Sequence, residues 1–135
     1  MRAIFAAIAV AAIALTMNAA LLRHEGVREL LVPAPAKVVQ GFVGAVAARR
    51  PEIARTQLSR EPRAKLSAEA LRARAAEFRD QHGDYRYESG DVHRSGDVAD
   101  VQAHLRTKRD GTIIRTFRLV RDPETSLWKI TEFSL

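Results

Sequence analysis

The chain has 135 residues and no cysteine, which excludes disulfides, thiolate metal sites, thiol nucleophiles and a lipidated N-terminal Cys. Its formal charge is +6, from 22 Lys and Arg against 16 Asp and Glu, a surplus that attracts acidic surfaces only weakly and in a salt-dependent way. Once an apolar N-terminal run is set aside, about 100 residues remain, enough for one domain around one core.

After Met1 and Arg2, residues 3–22 are apolar except for Thr16 and Asn18. A helix of that length spans about 30 Å, the depth of a bilayer core. The run predicts a transmembrane anchor or signal segment over 1–22. Signal cleavage wants a small residue three before the cut, but a cut after Ala19 places Met17 there and a cut after Ala20 places Asn18. Those residues favour an uncleaved anchor. The very short N-terminal tail then stays in the cytoplasm, and the body is expected outside it. The expected protein is single-pass in a bacterial inner membrane; with cleavage it is secreted or periplasmic instead.

Residues 23–35 follow as a juxtamembrane spacer. Pro33 and Pro35 disfavour helix in the residues before them, so this piece reads as extended and semi-rigid. The globular domain is expected over 36–135.

The first predicted helix begins at Pro35, which suits a first turn. Val38, Val39, Phe42, Val43 and Val46 recur at the 3-and-4 spacing of one buried stripe. Gly41 and Gly44 lie beside it and suggest close packing. Helix restarts at Pro51 with Ile53, Ala54 and Leu58 inward, and Pro62 ends that neighbourhood. Ser67 is a good N-cap for a third helix, with Leu66 and Leu71 placed as a hydrophobic staple and Gly83 as the stop. Leu71, Ala75 and Phe78 form its inner stripe, while Glu69, Arg72 and Arg79 are expected outward.

After Gly83 the period changes from 3.6 to 2. "DYRYES" alternates, and Gly90 suggests a bulge before "VHR" continues the strand. In "VADVQAHLRT", Ala99, Val101, Ala103 and Leu105 share one face and Asp100, Gln102, His104 and Arg106 the other. Asp110-Gly111 is a strong hairpin signal. "TIIRTFRLV" and "LWKITEFSL" complete the set, joined by Asp122-Pro123. Phe133 falls out of step with Trp128 and Ile130, which predicts a bulge near Thr131 and Glu132 or a switch of faces. The fold class is α+β: the N-terminal helix, then three helices packed on a four-stranded antiparallel meander.

In this order, "VVQGFVGAVAARRPEIARTQLS", "GDVADVQAHL" and "FRLVRDPETSLWKITEF" resemble the nuclear-transport-factor-2-like superfamily, the cone fold shared with ketosteroid isomerase and the SnoaL-type cyclases. The chain looks like its small bacterial membrane-anchored or lipoprotein-like members. Two departures stand out. The acylated Cys of the lipoprotein relatives is absent, and a short strand that many members place between helices has no counterpart around 59–66. The resemblance implies an α+β cone, dimerisation through the open sheet face in some relatives, and an Asp or His base inside the cone in the enzymes.

The residues carry no catalytic constellation of their own. The four histidines have neither helical i, i+4 pairs nor metal-ligand spacing. Asp100 and His104 share a strand face but stand about 13 Å apart, so a dyad would need a partner from another strand. Tyr85 and Tyr87 share a face and can line a pocket mouth or pack at the sheet edge. Trp128, the only tryptophan, reads as a core anchor. The candidate pocket or interface residues are therefore Tyr85, Tyr87, Asp100, His104 and Trp128, with no cofactor and no metal. The expected function is a membrane-tethered, non-catalytic domain for protein interaction or assembly, its partners the membrane through residues 3–22 and a protein or second copy through the sheet. Anionic lipid headgroups are a further partner for the basic residues, whereas nucleic acid is not expected, because no aromatics interleave with them. The alternative is a small ligand or substrate bound inside the cone.

Overall fold

The computed structural model describes residues 32–135. The segment predicted as anchor or signal, most of the spacer and His24 lie outside the described residues. Within them, four helices precede four strands: α1 (Pro35–Ala47), α2 (Pro51–Arg55), α3 (Arg60–Lys65), α4 (Ala68–His82), β1 (Tyr85–Ser95), β2 (Val98–Thr107), β3 (Gly111–Arg121) and β4 (Trp128–Phe133). The strands form one antiparallel sheet in the order β1-β2-β3-β4. No helix among the described residues is long and apolar enough to cross a membrane.

The valine and phenylalanine stripe of α1 lies against β1, β2 and β4. Val39, Phe42 and Val43 are fully buried, as are Ala99, Val101, Ala103, Leu105, Phe117, Leu119 and Ile130 on the facing sheet. Each large side chain of this set contributes roughly 1.5–3 kcal/mol by leaving water.

α4 begins as its sequence requires: the Ser67 hydroxyl accepts from the Ala70 N–H at 3.1 Å. It stops at Gly83, whose φ of 77° is left-handed and where a Cβ would stand 3.0 Å from that of Lys108. Glycine therefore lets the helix end turn tightly against the β2–β3 hairpin. Thr107, buried in that hairpin, donates to Gly111 O at 2.7 Å and accepts from the Asp110 N–H at 3.1 Å.

Several expectations are corrected. A fourth helix, α3, forms where no apolar periodicity marks one. None of its residues is buried; Arg55 holds its end by donating to Leu66 O and Arg63 O, each at 2.9 Å. Ile53 is not inward but 50 % exposed, whereas Ala54 and Leu58 are buried. Ile53 and Ala54 are neighbours on α2, about 100° apart around its axis, so burying Ala54 turns Ile53 outward, and Leu58 lies beyond the end of the helix. Gly41 and Gly44 provide no close approach, since a Cβ at either meets nothing within 4 Å.

The missing strand near 59–66 also has a partial counterpart. Leu58 forms an isolated parallel bridge with Ile130. Ser59 N–H bonds Ile130 O, and Ile130 N–H bonds Gln57 O, both at 2.8 Å.

The bulges follow side-chain demands. In β4 the register shifts between Ile130 and Glu132, leaving Thr131 as the extra residue. Phe133 thereby returns to the inner face opposite Phe117, so of the two expected outcomes the bulge occurs and the switch of faces does not. In β1 the extra residue is Glu88 rather than one at Gly90, which pairs with Ala103. A Cβ at Gly90 would collide with Tyr87 Oη, so this glycine makes room for the tyrosine.

Candidate functional site

The pairing register divides the five candidate residues between the two faces of the sheet. Ala99, Val101, Ala103, Leu105 and Thr107 point toward the helices. Their partners on β1 are Arg94, Val92, Gly90, Tyr87 and Tyr85, so both tyrosines share the inner face. Trp128 pairs with Arg121 at the opposite end of the sheet, and Asp100 and His104 are on the outer face. The structure does not gather these residues into one site.

Tyr85 is 8 % exposed, packed edge-to-face on Phe78 with ring centroids 4.7 Å apart. Its Oη is buried with no hydrogen-bond partner. Burial pushes the phenol up to about 12, against a smaller downward pull from Arg79. Tyr87, half-buried beside Gly90, is also raised, by burial and then by the Asp91 carboxylate. Both act as packing side chains at the sheet edge.

Trp128 is 5 % exposed. Two guanidiniums flank its ring, Arg94 at 5.1 Å and Arg121 at 5.9 Å from the centroid. Each such contact favours the folded state by about 0.5–1 kcal/mol at an accessible site. The arginines thus shield the indole at the end of the core.

Asp100 accepts from Arg118 Nε on β3 at 2.9 Å. That hydrogen bond, with the charge of Arg118 and of His93, outweighs the opposing desolvation and holds the carboxyl below its usual range. His104 Nε2 lies 2.9 Å from Asp91 Oδ2 on β1. The strand spacing keeps Asp100 and His104 apart, and each takes its partner from the neighbouring strand. The Asp91 carboxylate is 76 % exposed, so the pair sits in water, where ion pairing contributes little.

No protein-family model and no curated protein matches the chain. Among solved structures it is similar to an uncharacterized cystatin fold protein from Novosphingobium aromaticivorans, at 10 % identity over 70 % of this chain and 95 % of that one, with a TM-score of 0.44. It is also similar to an NTF2-like protein of unknown function from Cytophaga hutchinsonii, at 10 % identity over 73 % and 88 % of the two chains, with a TM-score of 0.40. At these values the likeness says nothing of what the chain does.

A second acid and base pair escapes sequence reading. His82, the last residue of α4, directs Nδ1 at the Asp110 carboxylate. Its Nε2 faces Arg115 Nη2 at 3.4 Å, and Arg115 also stacks on Phe78 at 5.5 Å. With Nδ1–H donating to Asp110, Nε2 accepts from the guanidinium. Both ring nitrogens are then engaged, and the trio locks the helix end to the hairpin. Twenty-eight residues separate His82 from Asp110, which no short motif captures. Among the described residues no group of three His, Cys, Asp or Glu is placed to hold a metal ion.

Some of the basic residues are answered by neighbours. Lys65 pairs with Glu61 and Arg72 with Glu52, Arg109 donates to Asp80 O, and Arg74 lies over the Phe133 ring at 5.6 Å.

Proposed function

We propose that the chain is a membrane-tethered, extracytoplasmic, non-catalytic domain of nuclear-transport-factor-2-like type that assembles with a protein partner or a second copy through the outer face of its sheet. The reading rests on one observation. That face has no covering element among the described residues, and it exposes Val98 at 38 %, Ile114 at 52 % and Val120 at 38 %. Val98 stands directly opposite Val120, so two of the three form one apolar pair. The Asp100–Arg118 and His104–Asp91 pairs lie on the same face and give it fixed charge positions that orient a partner. Catalysis in the cone interior needs polar groups beside a sizeable cavity, whereas the middle of the interior is fully buried and apolar. The tether itself rests on residues 3–22 of the sequence.

The absence of cysteine makes the test clean. Ile114→Cys or Val120→Cys in the full chain supplies a single thiol for crosslinking in native membranes. The expected result is a crosslinked adduct from both positions and none from Ile53→Cys on the helical side. Monomer alone from both outer-face thiols sinks the assembly reading. Mass spectrometry of the mature N-terminus tests the tether separately: residues 3–22 retained support it, and their removal overturns it.

A further inference from the structure

The end of α1, the start of α2 and one face of α4 enclose a hollow of about 250 Å³. Val46, Pro51, Leu71 and Ala75 form its buried floor, and exposed Ala76 stands at the mouth. The lining is almost wholly apolar, and Arg49, Arg72 and Arg79 contribute to it mainly through their hydrocarbon stems.

Different local features set each arginine there. Arg49 follows the C-cap of α1 with a left-handed φ of 61°. Its N–H bonds Val46 O at 3.1 Å, and the Arg50 N–H bonds Ala45 O at 2.8 Å. This is a Schellman closure with arginine where glycine is usual, a backbone that disfavours residues with a Cβ. Its guanidinium has no hydrogen bond or ion pair among the described residues. Arg72 and Arg79, two turns apart on α4, share a face. Arg72 lies 3.7 Å from exposed Glu52. Arg79 keeps Nη2 buried and unpartnered, while its Nε is 3.8 Å from the Asp84 carboxylate. Arg79 was expected outward; its side chain is only 21 % exposed.

An apolar hollow with three arginine stems in its walls complements a molecule with a hydrocarbon tail for the hollow and one anionic head for the cationic ends of those side chains. The tail gains by leaving water, and the head gains from donor forks that match a carboxylate. The volume equals about eight water-sized units, which suits a short tail. We propose that this hollow binds a medium-chain alkyl carboxylate, its tail against Leu71 and Ala75 and its head at Arg49, Arg72 and Arg79. The site lies wholly within the described domain and does not depend on the tether or on the outer sheet face.

The test is photolabelling of the full chain, held in phosphatidylcholine nanodiscs, with a decanoate analogue carrying a diazirine in its tail. Probes with the same tail and a trimethylammonium or alcohol head are the comparisons. The carboxylate probe is expected to label peptides containing Val46 or Ala75 and Ala76, with unlabelled decanoate competing. Arg49→Gln is expected to lower that labelling about two- to fivefold, the value of one accessible ion pair. Ala76→Trp, which plugs the mouth, is expected to abolish it. Both positions are exposed, so neither change disturbs the core. Equal labelling by the ammonium probe, labelling unaltered in both variants, or no labelling of these peptides overturns the proposal.

Discussion

Phe133 lies parallel to Phe117 across β3 and β4, with ring centroids 6.1 Å apart and planes 9° from parallel. Phe42 of α1 meets both edge-on, at 6.0 and 5.0 Å. Because Thr131 bulges out of the ladder, Phe133 stays on the inner face opposite Phe117. Inserting one alanine between Glu132 and Phe133 shifts the period by one and turns Phe133 to solvent. The expected cost is about 2–4 kcal/mol from lost burial and ring contacts, read as a lower urea midpoint; an unchanged midpoint means the cluster does not depend on this register.

Trp128→Ala is expected to cost about 3–5 kcal/mol, the range for truncating a large buried aromatic. The measurement is urea unfolding by circular dichroism, since the variant has no tryptophan left to report. In the native chain the single indole should emit from a shielded environment and shift to longer wavelength on unfolding. An unaltered midpoint would refute the core-anchor role and return Trp128 to consideration as a ligand-stacking residue.

Tyr85 gives stability a dependence on alkaline pH. Its phenol ionises at about 12 in the fold against an ordinary value of 10.0. Above pH 10 the unfolded chain loses this proton while the folded one keeps it. The stabilising contribution is therefore complete below pH 10 and lost as pH rises through about 12. Tyr85→Phe removes both the titration and a buried, unpartnered hydroxyl. It is expected to leave neutral stability unchanged or raised by up to about 1 kcal/mol, and to flatten the decline between pH 10 and 12 in unfolding experiments. A decline as steep as that of the native chain would assign the effect to another group.

Gly44→Ala is expected to stabilise the domain by about 0.5–1 kcal/mol. The glycine is exposed inside α1, and a Cβ there meets nothing within 4 Å. A lower melting temperature would show that Gly44 serves a contact beyond the described residues.

Much of the fold was legible because periodicity carries it. The α1 stripe, the Ser67 cap, the Gly83 stop and the alternation of Ala99 to Leu105 all follow from side-chain spacing. Even the bulge at Thr131 was visible in the misplaced Phe133. α3 was hidden because it buries no side chain and depends on two donations from Arg55. Glu88 was missed as a bulge because the cause lies in the Tyr87 ring crossing Gly90, a three-dimensional clash. The candidate residues were individually placed on the correct faces, yet strand register decides that Tyr85, Trp128 and Asp100 stand far apart. The hollow beneath Arg49 left no motif, because three helices contribute to it and its marker is an arginine where a glycine would be commonplace.

The bridge from Leu58 to Ile130 has a consequence for how these domains behave in a crowd. Gln57 and Ser59 occupy the outward backbone groups of Ile130, and on the opposite rim Glu88 interrupts the ladder of β1. Both interruptions shorten the regular row of free amides and carbonyls along a rim, the template on which strands from separate molecules polymerise.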